Sequence, residues 1–62
     1  MKNYNIIQDT LAIKNCKIGM KAENSKDAIR KAPLVVTGRI NAIEEVDHLG
    51  NHVLTIWKRE EA

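Results

Sequence analysis

The chain has 62 residues, a net charge of +2, one Cys, one Trp, one Tyr and no Phe. A chain of this length makes one small domain, residues 1–62, that buries only about 60% of its unfolded surface. The lone Cys16 excludes a disulfide scaffold and fits a reducing cytoplasm, and the usual Cys/His zinc sets are missing.

Eight Ile with Val, Leu, Ala and Met must supply the core, and these bury less area per residue than aromatics. Self-association is the remaining way to add buried surface. No apolar run approaches the roughly 20 residues of a membrane helix, and MKNYNIIQD has no signal-peptide core, so the expectation is a cytoplasmic protein without membrane contact. Charge is unevenly placed: residues 1–39 hold eight Lys/Arg against three acids, and residues 40–62 hold two against five.

Residues 1–13 fit neither strict alternation nor a helical stripe and read as a strand or turn. From Cys16 the alternation is clean. Cys16, Ile18, Met20 and Ala22 point one way and Lys17, Gly19 and Lys21 the other, which predicts a half-buried strand. In ENSKDAIRKAP, Asn24 or Ser25 caps a short helix over about 25–31, with Asp27 in its first turn, Arg30 and Lys31 at its end and Pro33 as the stop.

Residues 34–43 (LVVTGRINAI) read as a second strand, with Val36, Ile40 and Ala42 on one face and Thr37, Arg39 and Asn41 on the other. Gly38 inside it predicts a bend, and the odd spacing from Ile40 to Ile43 predicts a slip of register. A curled strand of this kind suits a small barrel. EEVD then leads into a turn at Gly50 and Asn51, which tolerate positive φ, and VLTIW returns as the hairpin partner. Residues 58–62, KREEA, read as a tail too polar to pack. The fold class expected is mainly β: a small curled antiparallel sheet or Src-homology-3-like barrel with one short helix.

Lys17-Ile18-Gly19-Met20-Lys21, Gly38-Arg39-Ile40 with Ile43, and Leu54-Thr55-Ile56-Trp57 resemble, in that order, successive strands of the Src-homology-3-like barrels of KOW and Tudor type, over residues 16–58. The resemblance implies a fold and does not transfer a function. Members that bind polyproline or methylated side chains line their sites with several aromatics, whereas this chain has only Tyr4 and Trp57.

Candidate sites are few. Cys16 lies on an apolar strand face, where a thiol is inert, so pairing it with His48 or His52 for nucleophilic catalysis is disfavoured. His48 and His52 straddle a turn and read as solvated, and Glu44, Glu45 and Asp47 lack the cleft that general acid–base work needs. We therefore expect no enzyme, no cofactor, no metal and no small-molecule substrate.

The last strand is apolar on both faces, with Val53 and Trp57 to one side and Leu54 and Ile56 to the other, so one pair must be covered by something. The leading expectation is a protein-binding module or regulator whose surface comprises Ile43, Glu44, Glu45, Val53 and Trp57, with another protein or a second copy as partner. The Ile-, Lys- and Asn-rich composition resembles that of accessory proteins of AT-rich bacteria and their phages, which would make a host protein the target. The alternative is a nucleic-acid-binding accessory protein that meets the phosphate backbone through Lys17, Lys21, Lys26, Arg30 and Arg39, in a salt-sensitive way.

Overall fold

The computed structural model describes residues 1–60. Those residues form strand β1 (Lys2–Asp9), strand β2 (Cys16–Ala22), helix α1 (Ser25–Val35), strand β3 (Arg39–Val46) and strand β4 (His52–Lys58). The strands make one antiparallel sheet in the order β2-β1-β3-β4. The fold is mainly β with one short helix, as composition and alternation predict. Among the described residues, however, the sheet is open and uncurled: β2 and β4 are its edges, and no barrel closes.

The segment with the weakest sequence signal lies at the centre. β1 pairs with β2 on one side and β3 on the other, with Ile6 opposite both Ile18 and Ile43. Its burial alternates, Tyr4, Ile6 and Gln8 being buried and Asn3, Asn5, Ile7 and Asp9 half-buried. The helix covers the first of these faces. Tyr4, Ile6, Met20, Ala22, Ala28, Ala32, Val36 and Ile43 form one core, with Ile18, Ile40 and Ile56 against it. Ala28 and Ala32, one helical turn apart, are the helix residues buried on the sheet, and their small side chains let the helix lie close to β2 and β3. The opposite sheet face carries no helix among the described residues.

Asn24 is the N-cap. Its Oδ1 accepts a hydrogen bond from Asp27 N at 2.9 Å, which satisfies one free donor of the first turn, while Asp27 Oδ2 accepts one from the N–H of Glu23, the residue before the cap, at 3.2 Å. The helix runs beyond the expected stop, to Val35, with Pro33 inside it. Pro33 removes one main-chain hydrogen bond, and its ring lines an apolar groove together with Ile29, Ile40, Ile43 and Trp57. Leu34 and Val35 are consequently helical and exposed, and Arg30 and Lys31 sit in mid-helix.

β3 begins at Arg39, after Gly38. The slip implied by the Ile40–Ile43 spacing is present: Ile7 pairs with Ala42 and Gln8 with Ile40, leaving Asn41 as the extra residue of a bulge. Gly38 serves a close approach and not a curl. Its N–H donates to Gln8 Oε1 at 3.0 Å, and a Cβ there would collide with that oxygen and lie 2.5 Å from the Asp9 carbonyl oxygen.

The β3–β4 turn is held by Asp47, whose Oδ1 accepts from Leu49 N and Asn51 N, each at 2.9 Å. Gly50 takes φ +87°, the left-handed conformation expected of it. Arg59, assigned to an unpacked tail, is half-buried and hydrogen-bonded; the part of that tail beyond Glu60 lies outside the described residues.

Candidate docking groove and edge strand

β4 is paired with β3 on one side only, so its outward backbone groups have no partner strand among the described residues. Two register shifts interrupt the pairing, between Ile43 and Glu44 and between Glu45 and Val46. They change the faces read from simple alternation. Trp57 lies opposite Ile43 and Leu54 opposite Glu45, and since Ile43 and Glu45 face Ile6 and Tyr4 across β1, both Trp57 and Leu54 belong to the helix-bearing face. Ile56 packs against the same core. The expected division of Val53 and Trp57 from Leu54 and Ile56 fails because each bulge inserts a residue that alternation does not count.

The helix leans on β2 and β3 and leaves β4 partly uncovered. An apolar groove of about 160 Å³ remains, lined by Ile29 and Pro33 of the helix, Ile40 and Ile43 of β3 and Trp57 of β4. Trp57 is 37% exposed, Leu54 47% and Val53 50%. Of the surface named from sequence, Ile43 is a core residue, 2% exposed, that floors this groove and does not stand on the surface.

The two glutamates occupy different faces. Glu45 lies 3.5 Å from Lys2 Nζ, and Glu44 sits on the helix-free face with Oε1 3.8 Å from Lys17 Nζ and Oε2 3.9 Å from His52 Nε2. Both carboxylates therefore already have cationic or histidine neighbours. His52 Nε2 also lies 3.0 Å from Thr55 Oγ1, while His48 is exposed in the turn. Among the described residues no cluster of three His, Cys, Asp or Glu side chains has metal-binding geometry. None of the described helices is long and apolar enough to cross a membrane.

The five cations named for nucleic acid do not converge. Lys17 and Lys21 project from the helix-free face of β2, and Arg39 opens β3 opposite Asp9. Lys26 and Arg30 ride on the helix across the sheet, and Arg30 is held by Asp27 at 2.6 Å.

Three aspartates have their carboxyls held below the ordinary range by hydrogen bonds. The Asn15 backbone N–H does this for Asp9, aided by the Asn41 side chain; the Glu23 backbone N–H does it for Asp27, aided by Arg30; and the Asn51 backbone N–H does it for Asp47. A carboxyl whose folded pKa is depressed stabilises the fold fully above its unfolded value of about 4, and the contribution fades as pH falls through the folded value. Thermal melts should therefore hold a constant midpoint from neutrality to about pH 5 and shift down on further acidification. Replacing Asp9, Asp27 and Asp47 together by Asn should lower the neutral midpoint and flatten the acid limb. An acid limb unchanged in that triple variant would mean that other carboxyls carry it.

The cluster that sequence reading missed is at the opposite end of the sheet from the hairpin turn, where Asp9, Asn15, Asn41 and Arg59 join in one hydrogen-bonded network. Asp9 Oδ1 accepts from Asn15 N at 2.9 Å and from Asn41 Nδ2 at 2.8 Å, Asn41 Nδ2 also reaches Asn15 Oδ1 at 3.1 Å, and Arg59 Nη2 donates to Asn41 Oδ1 at 2.5 Å. Asn15 takes φ +55°, a conformation Asn tolerates better than most residues. The odd Ile40–Ile43 spacing was the one available signal, since the bulge it encodes is what frees Asn41 for this network. No family model, curated protein or solved structure matches the chain.

Proposed function

We propose that this chain is a small non-enzymatic protein-binding module that takes a short extended segment of a partner protein along the edge of β4, with an apolar side chain of that segment entering the groove beside Trp57. The observation that carries the reading is the half-exposed Trp57 at an apolar groove on an edge strand: main-chain hydrogen bonds to the edge supply affinity, and the groove supplies selectivity. Trp offers a large, rigid contact area at low entropic cost, which is why it dominates binding energies at interfaces.

The two bulges in the β3–β4 pairing shorten the regular stretch of β4, so only a short segment pairs along it. A foreign segment is favoured over a second copy because Trp57, the one large side chain β4 could insert, already forms a wall of its own groove of about 160 Å³. The partner segment is apolar in character, because Glu44 and Glu45 already face Lys17, His52 and Lys2. The nucleic-acid reading ranks below this one, since its five cations are divided between the helix and the sheet.

Selection of a displayed random-peptide library on the folded protein tests the proposal. Enriched peptides should share an apolar residue within a β-prone stretch and shift the emission of the single Trp to the blue. Trp57→Ala should weaken them by about 2 kcal/mol or more while the protein itself still folds, because the indole is not part of the sealed core. Peptides that bind Trp57→Ala as tightly as the parent would place the docking surface elsewhere.

A further inference from the structure

The helix-free face of the sheet carries a second cavity, chemically unlike the groove. It measures about 360 Å³ and lies over Ile7 and Ala42, with Asp9, Lys14, Asn15, Asn41, Lys58 and Arg59 around it. Three of these side chains are cationic and one is anionic. None of Lys14, Lys58 and Arg59 forms an ion pair within 4.0 Å with a described residue.

Asp9 Oδ1 accepts both amide donors and holds the frame; Arg59 and Lys14 lie within reach of the Asp9 charge, but neither forms a direct ion pair with it. Arg59 is fixed from behind: its backbone N–H donates to Asn41 O at 2.8 Å and Nη2 to Asn41 Oδ1, while Nε is buried without a partner among the described residues. That Nε is sealed from the surface, so it is the terminal nitrogens of the Arg59 guanidinium that a ligand in the cavity meets.

We propose that this cavity binds a small phosphate monoester. Three cations against one carboxylate leave an excess of two positive charges, which matches a phosphate dianion. Arg59, with its planar set of donors, and Lys14 and Lys58, as point charges, contact the phosphate oxygens. The cavity is larger than a bare phosphate needs, and the organic group lies on the apolar floor of Ile7 and Ala42. Asn41 is a positioning residue, its amide fully engaged in orienting Arg59 and Asp9. The site is on the sheet face away from Trp57, so it stands whether or not the groove binds peptide.

Titration of the ¹⁵N-labelled protein with phenyl phosphate, inorganic phosphate and a short single-stranded oligonucleotide tests this. Phenyl phosphate should shift the amides of Asn15, Asn41 and Arg59 at millimolar concentration, more tightly than inorganic phosphate. Arg59→Gln should weaken it by about tenfold, the usual consequence of losing a hydrogen bond to a charged group. Lys14→Gln, in an exposed loop, supplies the same test without risk to the fold, and Lys26→Gln on the helix should change nothing. The proposal fails if those amides do not move, if Lys26→Gln weakens binding as much as Lys14→Gln, or if the oligonucleotide binds more tightly and moves amides over both sheet faces.

Discussion

Ile6→Ala is expected to be the most damaging single truncation, costing about 2–5 kcal/mol, which for a domain this small means a largely unfolded population at room temperature. Ile6 is fully buried in the central strand, opposite Ile18 and Ile43 in the flanking strands and within the core that includes Ala28 and Ala32 of the helix. Ile7→Ala, one residue along, removes the same atoms from the helix-free face and should cost about 1 kcal/mol. Urea denaturation followed by circular dichroism compares the two. An Ile7 variant less stable than the Ile6 variant would mean that β1 presents the other face to the helix.

Gly38→Ala is expected to destabilise by about 2–4 kcal/mol, against the usual sign for a Gly→Ala change at a compatible site. The added Cβ meets the Gln8 side-chain oxygen and the Asp9 carbonyl oxygen. Gln8 could rotate away, but it is only 4% exposed and would surrender its hydrogen bond from Gly38 N; the Asp9 carbonyl belongs to the central strand and cannot yield. Since the first added carbon already collides, Gly38→Val should be no better than Ala. A melting temperature equal to or above the parent's would show that residues 8 and 38 do not approach one another closely.

The legible parts of the fold are those where one physical rule acts alone. β2 has one covered and one open face, so its side chains alternate cleanly; Asn24 caps because its oxygen reaches the first turn; Gly50 turns because it has no side chain to oppose positive φ. Competing rules hid the rest. In β1 the inward Gln8 is polar and the outward Ile7 apolar, the reverse of the pattern a strand signal relies on: Gln8 accepts the Gly38 N–H, and Ile7 lies under the cationic cavity. Pro33 reads as a helix stop, yet the helix continues through it to Val35, with Leu34 and Val35 exposed.

The residue type singles out Trp57, which the structure leaves 37% exposed beside an apolar groove, but its face was not legible, since two bulges change the count between it and Val53. The cationic cavity was illegible for a different reason: it is assembled from Asp9, Lys14 and Asn15, Asn41, and Lys58 and Arg59, three stretches that only sheet pairing brings together.

Amide hydrogen exchange with and without a library-selected peptide tests the docking reading most directly, because the sheet has two edges and the measurement distinguishes them. Binding along β4 predicts slower exchange for the outward-facing amides of His52–Lys58 and unchanged exchange along β2. Protection confined to β2, or protection of neither edge by a peptide that binds, would contradict it.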